Sequence, residues 1–61
     1  EDRRITVRIF DLEGLPLREV SGTRPSWDGT DDDGRDVPGG LYVYYAESGG
    51  RSVSGLVCLA R

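Results

Sequence analysis

The side chains best suited to chemistry crowd into one polar stretch, where Asp28, Asp31, Asp32, Asp33 and Asp36 supply five of the chain's eleven acids. Carboxylates this close are hard oxygen donors of the kind that bind Ca²⁺, and Asp28, Asp31 and Asp33 are the candidate ligands. Their spacing does not meet the EF-hand pattern, which alternates acids before a glycine and ends on a distant Glu. The other reading is a solvated turn. Asp32-Asp33-Gly34-Arg35 has the composition of a hairpin tip, because Asp tolerates the left-handed region and Gly adopts it freely. Weak Ca²⁺ binding is the single cofactor the sequence offers. Catalysis is not expected. The chain has no His and no Lys. Cys58 sits in an apolar run with no base nearby in sequence to activate it. The acids lie in an exposed loop, where nothing separates their proton affinities for acid–base work.

Composition narrows the remaining classes. With 61 residues and 36% hydrophobic content, the chain makes one thin-cored domain, 1–61. A chain of this size buries only about 60% of its unfolded surface and usually needs a disulfide, a metal or a partner. A lone Cys excludes an internal disulfide, and one Cys without His argues against zinc. A partner is therefore expected, either another copy or the rest of a longer chain. Net charge is −3 with no basic cluster, which argues against nucleic acid. No apolar run is long enough for a membrane span, so membrane insertion is not expected.

The elements that must carry these residues are strands. Ile5, Val7 and Ile9 alternate with Thr6, Arg8 and Phe10, the period of a half-buried strand. Asp11-Leu12-Glu13-Gly14 reads as a turn, followed by a second strand from Leu15 to Val20 with Pro16 at its start or on an edge. Ser26-Trp27 marks a very short strand before the acidic loop. Leu41 to Ala46 is an aromatic strand. Ser48-Gly49-Gly50 turns it into a last strand carrying Val53, Val57 and Leu59 on one face. No amphipathic helix is visible. The chain is expected to be all-β, a small sandwich or open barrel. Trp27 has the size to plug its core, and Tyr42 to pack with its hydroxyl on nearby backbone. The tyrosines could also suggest sugar binding, but no Asn, Gln or His accompanies them.

Three segments carry a family likeness. They are Val7-Arg8-Ile9-Phe10-Asp11-Leu12-Glu13-Gly14 with Leu17-Arg18, then Trp27-Asp28-Gly29 through Gly34-Arg35, Val37-Pro38 and Gly40-Leu41-Tyr42, and finally Gly50 to Gly55 running into Val57-Cys58-Leu59-Ala60-Arg61. The chain resembles the immunoglobulin-like domain of the flagellar hook-capping protein family. It is also similar to the C-terminal sorting domains of the type IX secretion system. The resemblance implies an immunoglobulin-like β-sandwich of about five strands in a secreted or cell-surface protein. It implies that Tyr42, Tyr44, Val57 and Leu59 join Trp27 as core anchors.

Two departures from that family direct the functional expectation. Its members begin with one or two further strands, for which only Glu1-Asp2-Arg3-Arg4 is present. The strand of Ile5, Val7 and Ile9 is thus expected to lie at an unpaired edge, open to a neighbouring strand. Alternatively, the chain is a fragment whose first strand lies upstream. The outward set Val43, Tyr45, Leu56 and Cys58 is apolar where the family often carries charge. These side chains are expected to form an interface patch, unless the phase is reversed and this face is the core. The expected function is a non-enzymatic structural module of a secreted protein. It would self-assemble as a fibre or multimer by strand pairing and apolar-face packing. The alternative is a C-terminal sorting or anchoring domain of a larger protein exported by a type IX-like system.

Overall fold

The computed structural model describes residues 4–61. The residues before Arg4, where the family resemblance would place further strands, lie outside the described residues. Alternation of β-branched and aromatic residues builds four strands: β1 (Ile5–Phe10), β2 (Pro16–Gly22), β3 (Gly40–Ser48) and β4 (Arg51–Leu59). They form one antiparallel sheet in the order β2-β1-β3-β4. The described residues contain no helix, so the domain is all-β.

Tight turns close the two hairpins. In the first, Asp11 Oδ1 accepts from the amides of Glu13 and Leu15, and Gly14 takes φ 90°. The Asp side chain thus does the work of a backbone acceptor, as Asp does in turns of this kind. In the second, Gly49 and Gly50 take φ 58° and 81°. Two consecutive residues in the left-handed region match the right-handed twist of the strands they join.

Where about five strands in two sheets were expected, the described residues form four strands in one. The short strand at Ser26-Trp27 is absent. Trp27 Nε1 instead donates to Thr30 O at 2.7 Å, folding the segment back on itself. The loop's single ladder contact is an isolated bridge between Thr30 and Asp36. The second layer of the fold is therefore the irregular connection between β2 and β3, which lays Trp27 and Val37 over one face of the sheet.

That face holds the core. Ile9, Val37 and Tyr42 are buried, with Val7, Leu17, Trp27, Tyr44, Val57 and Leu59 packed around them. Trp27 meets Tyr42 edge to face, with ring centroids 5.3 Å apart and planes at 72°, a favoured aromatic arrangement. The Tyr42 hydroxyl donates to Pro38 O, fixing the end of the loop. Tyr44 lies over Gly55, its partner across β4; a Cβ at Gly55 would meet the ring at 2.9–3.0 Å. The missing side chain makes room for the aromatic one.

The position of β1 corrects an expectation. It was expected at an open edge, yet it pairs with β2 on one side and β3 on the other. Ile9 is only 2% exposed and forms the centre of the core. Antiparallel pairing of β1 to a hairpin neighbour on one side and the aromatic strand on the other satisfies the two alternating sets of its backbone groups. The edges of the sheet belong to β2 and β4.

Candidate interaction surface

Register fixes which side chains share a face, since directly opposed residues point the same way. On the face away from the core, Phe10, Val43 and Leu56 lie in one row across β1, β3 and β4. Leu41 and Cys58 form the next row. Leu56 is 62% exposed, Leu41 49%, and Cys58 is exposed. Val43 and Tyr45 are half-buried. Contiguous exposed apolar surface is a general feature of protein interaction sites.

The same face is polar at its other end. Tyr45 stands between Arg8 and Ser54 in the register. Arg8 donates from Nε to Glu19 at 3.3 Å and from Nη1 to Glu47 at 3.0 Å. The Glu47 hydrogen bond, seconded by the charge of Glu19, raises the proton affinity of Arg8. The outer face is thus divided, ionic over the start of β1 and apolar over its end.

The core face is incompletely covered. The loop shields the half around Ile9, Tyr42 and Leu59. Beyond it an open groove of about 320 Å³ runs along Ile5, Ala46, Ser48, Arg51, Ser52 and Val53. Val53 is 62% exposed there. Ile5, Val7 and Ile9 therefore have different surroundings. Ile9 is core, Val7 packs beside it, and Ile5 borders the groove.

The acidic loop is engaged with its own backbone. Asp31 Oδ1 accepts from the amides of Asp33 and Arg35 at 2.9 and 3.0 Å. Asp28 Oδ1 accepts from the hydroxyl and amide of Thr30, and the hydroxyl bond above all holds its carboxyl below the usual carboxylate range. Among the described residues no three acidic, Cys or His groups converge to hold a metal ion. Asp28, Asp31 and Asp33 act as turn formers, with the Asp33 amide donating to Asp31.

Two residues with structural roles lacked a sequence signal or carried a faint one. Val37 is an isolated apolar residue in a polar loop, a pattern that can mark a core plug. Arg61 joins the loop to the end of the sheet, donating to Gly29 O and Val37 O at 2.7 and 2.8 Å. Nothing in its sequence neighbourhood points to that role. Arg18 lies opposite Ile9, donates from Nη1 to Asp31 O at 2.8 Å, and leaves its buried Nε without a partner.

No family model, curated protein or solved structure matches this chain.

Proposed function

We propose that this domain is a non-enzymatic structural module of a secreted protein, and that it self-assembles with copies of itself. One observation carries the reading. Among the described residues only three hydrophobic side chains are buried, while Leu41, Val53 and Leu56 are each about half exposed or more. A sheet with so small a core and apolar side chains on both faces gains from any polypeptide that covers it. Burial of that area contributes roughly 25 cal/mol per Å². The resemblance to immunoglobulin-like domains of secreted and appendage proteins is consistent with this role. Sedimentation of the purified chain tests it. A folded monomer at micromolar concentration would exclude self-assembly.

A second reading, an attachment or sorting domain of a larger exported protein, draws on the position of the groove. Ile5 both opens β1 and lines the groove. A segment preceding β1 in a longer chain would need few residues to reach it. The length of the reading frame discriminates. A long upstream region supports attachment, and a short leader alone removes it.

A further inference from the structure

We propose that β4 is the docking edge for a second copy of this chain, paired antiparallel across a two-fold axis so that two four-stranded sheets become one. The proposal rests on the self-assembly reading and specifies its partner, its strand and its symmetry.

The two edges of the sheet are unequal. Beside β2 the acidic loop occupies the edge: Asp32 N donates to Leu17 O at 2.9 Å, and Glu19 N donates to Asp32 Oδ1 at 3.3 Å. Pro16 and a register shift disturb the same strand. Charges, proline, irregular register and loop cover are the devices that keep an edge from pairing. The β4 edge has almost none of them. Its nine residues keep unbroken register with β3, contain no Pro, and carry one charge, Arg51.

The hairpin determines which groups that edge presents. A two-residue turn of this kind is closed by a hydrogen-bonded pair, here Ser48 and Arg51, after which bonding alternates along the ladder. The amides and carbonyls of Ser52, Ser54, Leu56 and Cys58 then face away from β3. Alternate free groups on a strand of unbroken register form a template for another strand.

A copy of β4 fits that template. With the axis at Gly55, Val53 lies opposite Val57 of the second copy on the core face, which gives the exposed Val53 an apolar neighbour. In the same register Arg51 lies opposite Leu59 of the second copy. That end of the sheet carries Asp36, exposed and 3.7 Å from Arg61. Among the described residues Arg51 has no acidic partner. The two-fold thus brings each Arg51 toward the acidic loop of the other molecule, once on each side. Because the β2 edge is blocked, head-to-tail addition has no second template, and the assembly closes as a dimer instead of extending as a fibre.

The test uses the whole chain in sedimentation, with far-UV circular dichroism to monitor folding. The wild type is expected to be a dimer that does not grow with concentration. Ser54→Pro removes an amide that faces the free edge and is not bonded to β3, so a folded monomer is expected. Arg51→Glu is expected to weaken dimerisation about tenfold, the scale of two exposed ion pairs, and Asp36→Arg in the same chain to restore it. If Ser54→Pro does not fold, the charge exchange decides. A dimer indifferent to these variants overturns the β4 edge while leaving self-assembly intact. Open-ended growth overturns the closed symmetry. A folded wild-type monomer overturns both the dimer and the assembly reading.

Discussion

Arg61 Nη2 donates to Gly29 O at 2.7 Å, joining residues 32 positions apart. Its Nε donates to Val37 O, so one guanidinium holds the two sides of the neck, Gly29 and Val37, from which the acidic segment of the loop projects. Gly29 itself packs against this arm; a Cβ there would come within 2.6 Å of Arg61. Arg61→Ala should therefore release the loop as well as remove two charge-assisted bonds. Hydrogen bonds to charged groups contribute about 1.5–3 kcal/mol, so a loss of that order is expected. Urea unfolding measures it, and an unchanged midpoint would show that the loop stays in place without Arg61.

Trp27 has two separable roles. Trp27→Ala should cost about 3–5 kcal/mol, enough to unfold a domain with so few buried residues. Trp27→Phe keeps an aromatic edge against Tyr42 but loses the bond to Thr30 O. A smaller cost is expected, about 0.5–1.5 kcal/mol. Thermal unfolding of the two variants should rank them in that order. Equal losses would mean that the Nε1 bond, not the ring, organises the loop.

The two faces of the sheet should respond differently to substitution. Ile9→Ala deletes the most buried side chain and is expected to cost about 2–5 kcal/mol. Leu56→Lys alters an exposed position on the opposite face and should move stability by about 0.5 kcal/mol or less. The double variant Tyr45→Arg, Leu56→Lys should leave the domain folded, since both positions lie on the face away from the core. Its failure to fold would show that the outer patch is part of the core.

Gly55 provides a steric test. A side chain there meets the Tyr44 ring, so Gly55→Val should displace the ring and cost about 1–3 kcal/mol through overpacking. The near-ultraviolet tyrosine signal should change with it. A variant as stable as the wild type would show that Tyr44 has another low-energy position.

Asp28 sets an expectation for acid. Its carboxyl is held below its ordinary value by the Thr30 hydroxyl, so the folded state binds the proton more weakly than the unfolded one. That contribution is complete above the ordinary Asp value of about 3.9 and is lost as pH falls through the lower folded value. Thr30→Val should raise the Asp28 titration midpoint, followed by carboxyl NMR. A midpoint that does not move would assign the shift to other groups.

Much of the local structure follows from the residues in order. Alternation at Ile5–Phe10 defines a strand and its two faces, the Asp11 and Gly49-Gly50 segments define turns, and the size of Trp27 marks it for the core. These are effects of near neighbours, and near neighbours are adjacent in sequence. The turn from Asp11 to Gly14 places β2 beside β1, but the strand on the other side of β1 was not legible in that way. The alternating pattern of β1 gives each side chain a face but says nothing about which strand lies on that other side. That depends on pairing with residues more than thirty positions away, Ile9 with Tyr44 and Thr6 with Glu47. The expectation of an open edge at β1 failed for this reason, and the edges proved to be β2 and β4. The same non-local choice gave the acidic stretch its role. Its composition reads as a possible cation site, but Asp31 and Asp28 fold the loop, and Asp32 closes the β2 edge by meeting Leu17 and Glu19. Which carboxylates remain free depends on which backbone amides the fold places within reach.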